Sequence, residues 1–270
     1  MRKILFALSL ALTACATAPP PAATQPCRLS DATINATLWM QTSAEYQAIT
    51  REVYGTAARN LDAAINDKSW TALESSCLSC PPAVILDLDE TVLDTSGHQT
   101  RLIRAGAGFS EPDWHDWAMH DASNAIEAAR DFLLDAQKRG IGIFYVTNRL
   151  QSEEQSLRAT LTRLGLPLTN DNLLVRGARE EWKSSDKTPR RAFVASSHRV
   201  IMLFGDDLND FAPANGKSLA DRDAILRAHA NDWGLKWYAL PNPVYGSWER
   251  AVVGDAKGCD ELKRKIDTLR

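Results

Sequence analysis

The sequence predicts an α/β protein built on a doubly wound parallel sheet, and three observations carry that expectation. Residues 83–88 (AVILDL), 141–146 (IGIFYV) and 200–204 (VIMLF) are short, almost continuously apolar runs rich in β-branched and aromatic side chains. Strands covered on both faces read this way, whereas half-exposed strands alternate polar and apolar residues. Between the runs, apolar residues recur every three or four positions, as they do on one face of a helix. The chain has 270 residues, 44% of them hydrophobic, which suits one domain with a large core and an elaboration.

Taken in order, the first helix is expected from Ser30-Asp31, with Tyr46, Ile49, Val53, Ala57, Leu61 and Ile65 forming one buried stripe. Pro81-Pro82 closes that region and the first strand follows. Residues 92–120 are aromatic and contain glycine without clear periodicity, so they read as irregular. A helix over 122–139 turns Ile126, Ala129, Leu133 and Ala136 inward and stops at Gly140. After the second strand, Ser152-x-x-Gln155 has the form of a capping box, with Leu157, Leu161 and Leu164 inside the helix it opens and Gly165 beyond it. A strand over 173–175 and a short helix over 188–197 lead to the third clear strand. Ser218-x-x-Asp221 then opens another helix, and residues 236–240 form a last strand. No internal repeat is present.

The N-terminus reads as an address. Arg2 and Lys3 precede a short apolar run over 4–12, too short for a permanent span, and Leu12-Thr13-Ala14-Cys15 resembles a bacterial lipobox. Residues 1–14 are therefore expected to be a signal peptide. Residues 15–29 would be a lipidated Cys15 with an Ala/Pro-rich tether, and residues 30–270 the folded domain. Thr17 at the second mature position resembles outer-membrane sorting, facing either the periplasm or the surface. The formal charge of −3 carries no basic footprint of a nucleic-acid binder, and lipid on Cys15 is the sole expected membrane contact. Export would expose Cys27, Cys77, Cys80 and Cys259 to oxidising conditions. Cys77-x-x-Cys80 lacks the second pair that a zinc site needs, so structural disulfides are expected, with the connectivity open.

Ligands of doubly wound sheets bind beyond the carboxyl ends of the strands. The first strand ends in Asp87-Leu88-Asp89-Glu90-Thr91, two carboxylates two residues apart where burial penalises charge. A hard cation suits such oxygens. The second ends in Val146-Thr147-Asn148-Arg149, offering a hydroxyl and free turn N–H groups to an anion. The third ends in Gly205-Asp206-Asp207-Leu208-Asn209-Asp210, a tight turn collecting more acids.

In order, DLDET, VTNR, a later lysine and GDDLND resemble the four motifs of the haloacid dehalogenase-like (HAD-like) phosphatases. More narrowly, the chain resembles the class C acid phosphatases, the bacterial outer-membrane lipoprotein e family of nucleotidases. The segments WMQTSAEY (39–46), DLDETVLDTS (87–96), FYVTNR (144–149) and PNPVYGSWE (241–249) carry that likeness. It spans about residues 38–250.

The resemblance implies a Rossmann-like core with a small helical cap built from about residues 30–75 and 95–122. It implies hydrolysis of phosphomonoesters, nucleoside 5′-monophosphates above all, at mildly acidic pH. Asp87 would be the nucleophile and Asp89 the general acid and then base. Mg²⁺ would be held by Asp87, Asp206 and the backbone carbonyl of Asp89, with Asp210 behind them. Thr147 and Asn148 would contact the phosphoryl group. Both Lys183 and Lys187 fall in the third interval, and Lys187-Thr188-Pro189-Arg190 matches the family's Lys-x-x-Arg pattern. Asp207 and Asn209 depart from the family's commoner wording. Trp114 and Tyr245 would stack on the base, since stacking tolerates any base. A homodimer is a further expectation. The rival readings are a phosphotransferase using the same aspartyl-phosphate, and a non-catalytic lipoprotein binding ligand or haem with its aromatic rim.

Overall fold

A computed structural model describes residues 28–270. The expected signal peptide, the lipid site Cys15, Cys27 and nearly all of the tether lie outside the described residues. After a 3₁₀ turn at Leu29–Thr33, helix α1 (Ile34–Thr42) breaks at Ser43, whose side chain accepts from the Tyr46 N–H and so starts α2 (Ala44–Asn66). The remaining elements are β1 (Pro82–Leu86), β2 (Leu93–Asp94), α3 (Ser96–Ala105), α4 (Glu111–Met119), β3 (Asn124–Ala125), α5 (Glu127–Lys138), β4 (Gly142–Leu150), α6 (Glu154–Arg163), β5 (Leu173–Arg176), α7 (Thr188–Ala195), β6 (Arg199–Gly205), α8 (Leu219–Ala228), β7 (Trp237–Ala239), α9 (Ser247–Val253) and α10 (Cys259–Thr268). Five strands pair in parallel in the order β5-β4-β1-β6-β7, and β2 and β3 form a separate antiparallel pair. This is the α/β architecture that the apolar runs predict.

Each face of the sheet has its own core. On one, Val84, Leu86, Tyr145 and Phe204 pack against Tyr54, Ala57 and Leu61 of α2 and Ala129 and Leu133 of α5. On the other, Ile85, Val146 and Leu203 meet Val194 of α7, Phe211 and Trp237. The strongest apolar burial thus surrounds β1, the central strand.

Several sequence expectations change in detail. The α2 stripe is Tyr46, Thr50, Tyr54, Ala57, Leu61 and Ala64, while Ile49 is exposed. Residues 54–61 of α2 pack on the sheet through Tyr54, Ala57 and Leu61, while Tyr46 near its start packs with Met40 and Val244. Residues 92–120 hold two helices. Their inward positions include Ser96, His98 and Ala118, so the usual apolar periodicity is hidden. The Ser152 capping box does not form. Strand β4 runs on to Leu150, and the buried Glu153 carboxylate turns back to accept the Leu150 N–H at 2.9 Å. The box at Ser218-x-x-Asp221 does form. Cys77 and Cys80 are joined in a disulfide just before β1, and Cys259 is exposed without a disulfide partner among the described residues. No helix of the described residues is long and apolar enough to cross a membrane.

Candidate active site

The carboxyl ends of β1, β4 and β6 converge, and each motif enters as the turn that its strand forces. After β1, the chain wraps so that the N–H groups of Thr91, Val92 and Leu93 all donate to the Leu88 carbonyl, and none takes the carbonyl of Asp89. The turn requires Glu90 in the left-handed region, φ 56°, an uncommon conformation for a residue other than glycine. Its side chain secures it. The buried Glu90 carboxylate accepts from the Thr95 N–H at 3.0 Å, from the Thr95 hydroxyl at 2.5 Å and from the Tyr245 hydroxyl. Burial first, then the charge of Asp89, holds this acid well above the usual glutamate range, with Thr95 opposing.

After β6, Gly205 is obligatory by close approach: a Cβ there would lie 2.2 Å from the Cβ of Asp210. The bare backbone lets Asp210 fold back beneath the site. Its Oδ2 accepts the Asp207 N–H at 2.9 Å, and its Oδ1 accepts from Lys187 Nζ at 2.6 Å. Lys187 is 4% exposed and reaches Asp87 Oδ1 at 2.5 Å as well. Burial works against the ammonium, but Asp210 and Asp87 outweigh it and keep the lysine charged. Lys183 instead lies exposed, paired with Glu180.

Oxygens of Asp87, Asp206 and Asp210 lie within 4.8 Å of one another. Burial pushes Asp87 up to about 7, against the pull of Lys187 and with Asp210 and Asp89 adding to the rise. Burial also raises Asp206 strongly, helped by Asp210, Asp87 and Glu90, while the Asn242 amide opposes at 2.8 Å. Three acids around one lysine are a cluster short of positive charge, and the donors are all oxygen, the set that a hard divalent cation prefers. Asp210 already spends both oxygens on Lys187 and the Asp207 N–H. Asp206 also accepts at both oxygens, from the Thr91 hydroxyl at 3.3 Å and the Asn242 amide at 2.8 Å, but both partners are neutral and leave its charge uncompensated; with Asp87 and the unpartnered Asp89 carbonyl it forms an oxygen donor set that fits such an ion.

At the end of β4, the buried Thr147 hydroxyl accepts the Arg149 N–H at 3.1 Å, leaving its own proton free to donate. Arg190, on the same face of α7 as Lys187, donates to the Thr147 carbonyl and to Asn148 Oδ1, the latter at 2.6 Å. That fixes the Asn148 amide with its N–H₂ turned away from Arg190. Burial, with neighbouring Arg176 and Arg191, pushes Arg190 down to about 10 against the pull of Asp87. The charge pattern around the strand ends thus includes donors suited to a phosphoryl group.

Above the carboxylates, α4 presents Trp114, half-buried, with ring centroids 5.1 Å from both Trp117 and His98. Tyr245 packs beside Trp39, Met40, Tyr46 and Val244. Its loop is tied to two motifs: Tyr245 donates to Glu90 after β1, and after β6 Ser247 donates to Asp207 from its N–H and hydroxyl while Asn242 donates to Asp206. The unusual Asp207 is therefore an anchor for the 241–249 segment. Asn209 secures the same turn, since its Oδ1 accepts the Ala214 N–H at 3.0 Å.

Sequence reasoning missed Arg149, Arg190 and Asn242. A charged residue at the end of an otherwise apolar buried strand was a legible signal for Arg149. The spacing of three from Lys187 was one for Arg190. Nothing local marks Asn242.

Residues 3–248 match the family model described as HAD superfamily, subfamily IIIB (Acid phosphatase). Among solved structures, the fold is similar to the class C acid phosphatase from Bacillus anthracis, seen with tungstate bound, at TM-score 0.81 and 32% identity, covering 90% of this chain and 98% of that one. A second structure of the same Bacillus anthracis protein matches equally, with TM-score 0.81 and 32% identity.

Proposed function

The chain belongs to the acid phosphatases of HAD subfamily IIIB and is a phosphomonoester hydrolase, and on that premise we propose that it works through an aspartyl-phosphate on Asp87 with Mg²⁺ as its cofactor. The observation that carries the reading is the cluster of Asp87, Lys187, Asp206 and Asp210 at the ends of β1 and β6, with Asp89 two residues beyond Asp87.

Thr147, Asn148 and Lys187 orient the phosphoryl group so that one Asp87 oxygen lies in line with the leaving group. The Asp87 oxygen forms a bond to phosphorus as the phosphorus–alkoxide bond breaks, and Asp89 gives its proton to the departing alkoxide. Asp89, now a carboxylate, takes a proton from water as that water attacks phosphorus. Phosphate leaves, Asp87 is freed and Asp89 is protonated again. Asp87, Asp206 and the Asp89 carbonyl would hold Mg²⁺, whose charge offsets the repulsion between a carboxylate and a phosphate dianion. Asp210 acts behind them by steering Lys187.

Nucleoside 5′-monophosphates are the proposed substrates. Trp114, beside the Arg149 that bonds Asp89, and Tyr245, bonded to Glu90, support this, since stacking contributes roughly 1–3 kcal/mol per base irrespective of its identity. Anchoring through lipid on Cys15 in the bacterial outer membrane, and a homodimer, complete the proposal.

The test is turnover of p-nitrophenyl phosphate with Mg²⁺ or EDTA, together with acid-quench trapping of labelled phosphate. Wild type should need the cation and label on Asp87, and folded Asp87→Asn should neither turn over nor label. Near-native turnover by Asp87→Asn would overturn the assignment. Product analysis with added nucleoside separates hydrolysis from transfer to an alcohol.

A further inference from the structure

We propose that Arg149 is the positioning residue for Asp89, and that it ties the proton-transfer carboxylate to the aromatic wall of α4. Arg149 sits at the end of β4 with only 2% of its surface exposed. Its Nε donates to Asp89 Oδ1 at 3.1 Å and lies 3.2 Å from Oδ2, while Nη2 donates to Oδ1 at 2.7 Å. Nη1 donates to Asp121 Oδ2 at 2.6 Å. Asp121 is itself immobilised, because its Oδ1 accepts the Ser123 N–H at 2.8 Å and its side chain is wholly buried. The guanidinium carbon lies 5.4 Å from the Trp114 ring centroid and 5.7 Å from that of Trp117.

This arrangement uses what distinguishes arginine from lysine. The rigid planar fork grips two carboxylates in fixed directions and lies against aromatic faces, none of which a single ammonium reproduces. Asp121 is the backstop, so the direction of the fork is set before substrate arrives. Asp89 Oδ1 takes the two shorter bonds. Oδ2 has only the longest one, so the geometry assigns Oδ2 as the oxygen that handles the proton. A carboxylate free to rotate would present neither oxygen reliably, and misplacement by about 1 Å can cost roughly 100-fold in rate. Arg149 thus acts on the chemistry through Asp89 without touching the reacting phosphorus.

The proposal rests on the proton-transfer role given to Asp89, and the experiment separates the two. Rapid acid-quench with p-nitrophenyl phosphate is compared in wild type, Asp89→Asn, Arg149→Lys and Asp121→Asn, each first checked by circular dichroism. p-Nitrophenoxide leaves with little help from an acid, whereas attack by water still needs the base. Arg149→Lys should therefore lose about 10–100-fold in kcat and hold a larger steady-state fraction of phosphoenzyme than wild type. On an alkyl phosphate, whose leaving group needs the acid, its kcat loss should be greater still. Asp121→Asn, which keeps Arg149 but removes its backstop, should move the same way by a smaller factor, and serves as the test if Arg149→Lys does not fold. If Asp89→Asn itself accumulates no phosphoenzyme, the role of Asp89 fails. If Asp89→Asn accumulates it but Arg149→Lys and Asp121→Asn show only a raised KM, or equal losses on both leaving groups, the positioning role alone is overturned.

Discussion

Replacing Lys187 with methionine removes the lone cation from a buried pair of acids and leaves a side chain of similar length in its place. In the native protein its ammonium lies 2.5 Å from Asp87 and 2.6 Å from Asp210, with side-chain exposures of 5%, 11% and 3% for the three residues. Breaking a buried pair by removing one partner costs about 3–5 kcal/mol, because the other charge stays buried without compensation. For a domain of this size, 1 kcal/mol corresponds to roughly 2–4 °C, so Tm should fall by about 6–20 °C at pH 7.5 in EDTA. Protons can take the place of the ammonium. Asp87, raised to about 7, and Asp210, also raised, are both disposed to accept them. At pH 5 Asp87 is largely neutral and Asp210 is closer to taking up a proton than at pH 7.5, so the difference from wild type should shrink. Urea denaturation at both pH values measures this, with Lys183→Met as the control, since Lys183 and Glu180 are 65% and 82% exposed. Equal stability of the two lysine variants at pH 7.5, or a loss at pH 5 as large as at pH 7.5, would refute the reasoning.

Other expectations follow from the same geometry. In EDTA, wild-type stability should increase as pH falls from about 7 towards 4: the folded-state pKa of Asp87 is raised, so its contribution is complete below the ordinary aspartate value and lost as pH rises through about 7. Saturating Mg²⁺ should flatten that slope, and an unchanged slope in thermal scans would argue against an ion on Asp87. Gly205→Ala places a Cβ where Asp210 folds back, so turnover should fall at least tenfold while the chain still folds; activity assays with circular dichroism decide this. Arg199→Met should cost about 3 kcal/mol or more, since its buried guanidinium donates to the carbonyls of Ala64, Ile65, Asp67 and Trp70, each at 2.9 Å. Its KM should be unaffected, which steady-state kinetics on the folded fraction will show.

The strands of the central sheet were readable because burial on both faces demands apolar runs such as 83–86 and 200–204, and their polar ends marked the site. What stayed hidden has a common physical cause, namely polar groups buried with partners distant in sequence. Helix α3 turns Ser96 and His98 inward, where His98 Nε2 meets Asp113 at 2.9 Å, so no apolar stripe announces it. Thr50 lies inside α2 while Ile49 faces outward, which shifts the phase read from hydrophobicity alone. Arg149, Asn242 and Asp207 each take their meaning from a residue 25 or more positions away, and periodicity carries no information at that range. The lysine was placed by motif resemblance; the 2.5 Å approach to Asp87 supplies a physical reason to prefer Lys187.

The grip of Arg199 on the end of α2 bears on how small a working catalyst can be. Strand β6 begins with this arginine and leads directly into Asp206, so the strand delivering a site carboxylate is fastened at its opposite end to a helix that contributes no carboxylate to the cluster. A chain trimmed to start after Asn66 would retain every acid and the lysine. It would nevertheless strip an apolar sheet face of its cover and take from the Arg199 guanidinium two of its four acceptors, the carbonyls of Ala64 and Ile65. Miniaturisation must therefore begin elsewhere, for instance at α10, none of whose residues is buried.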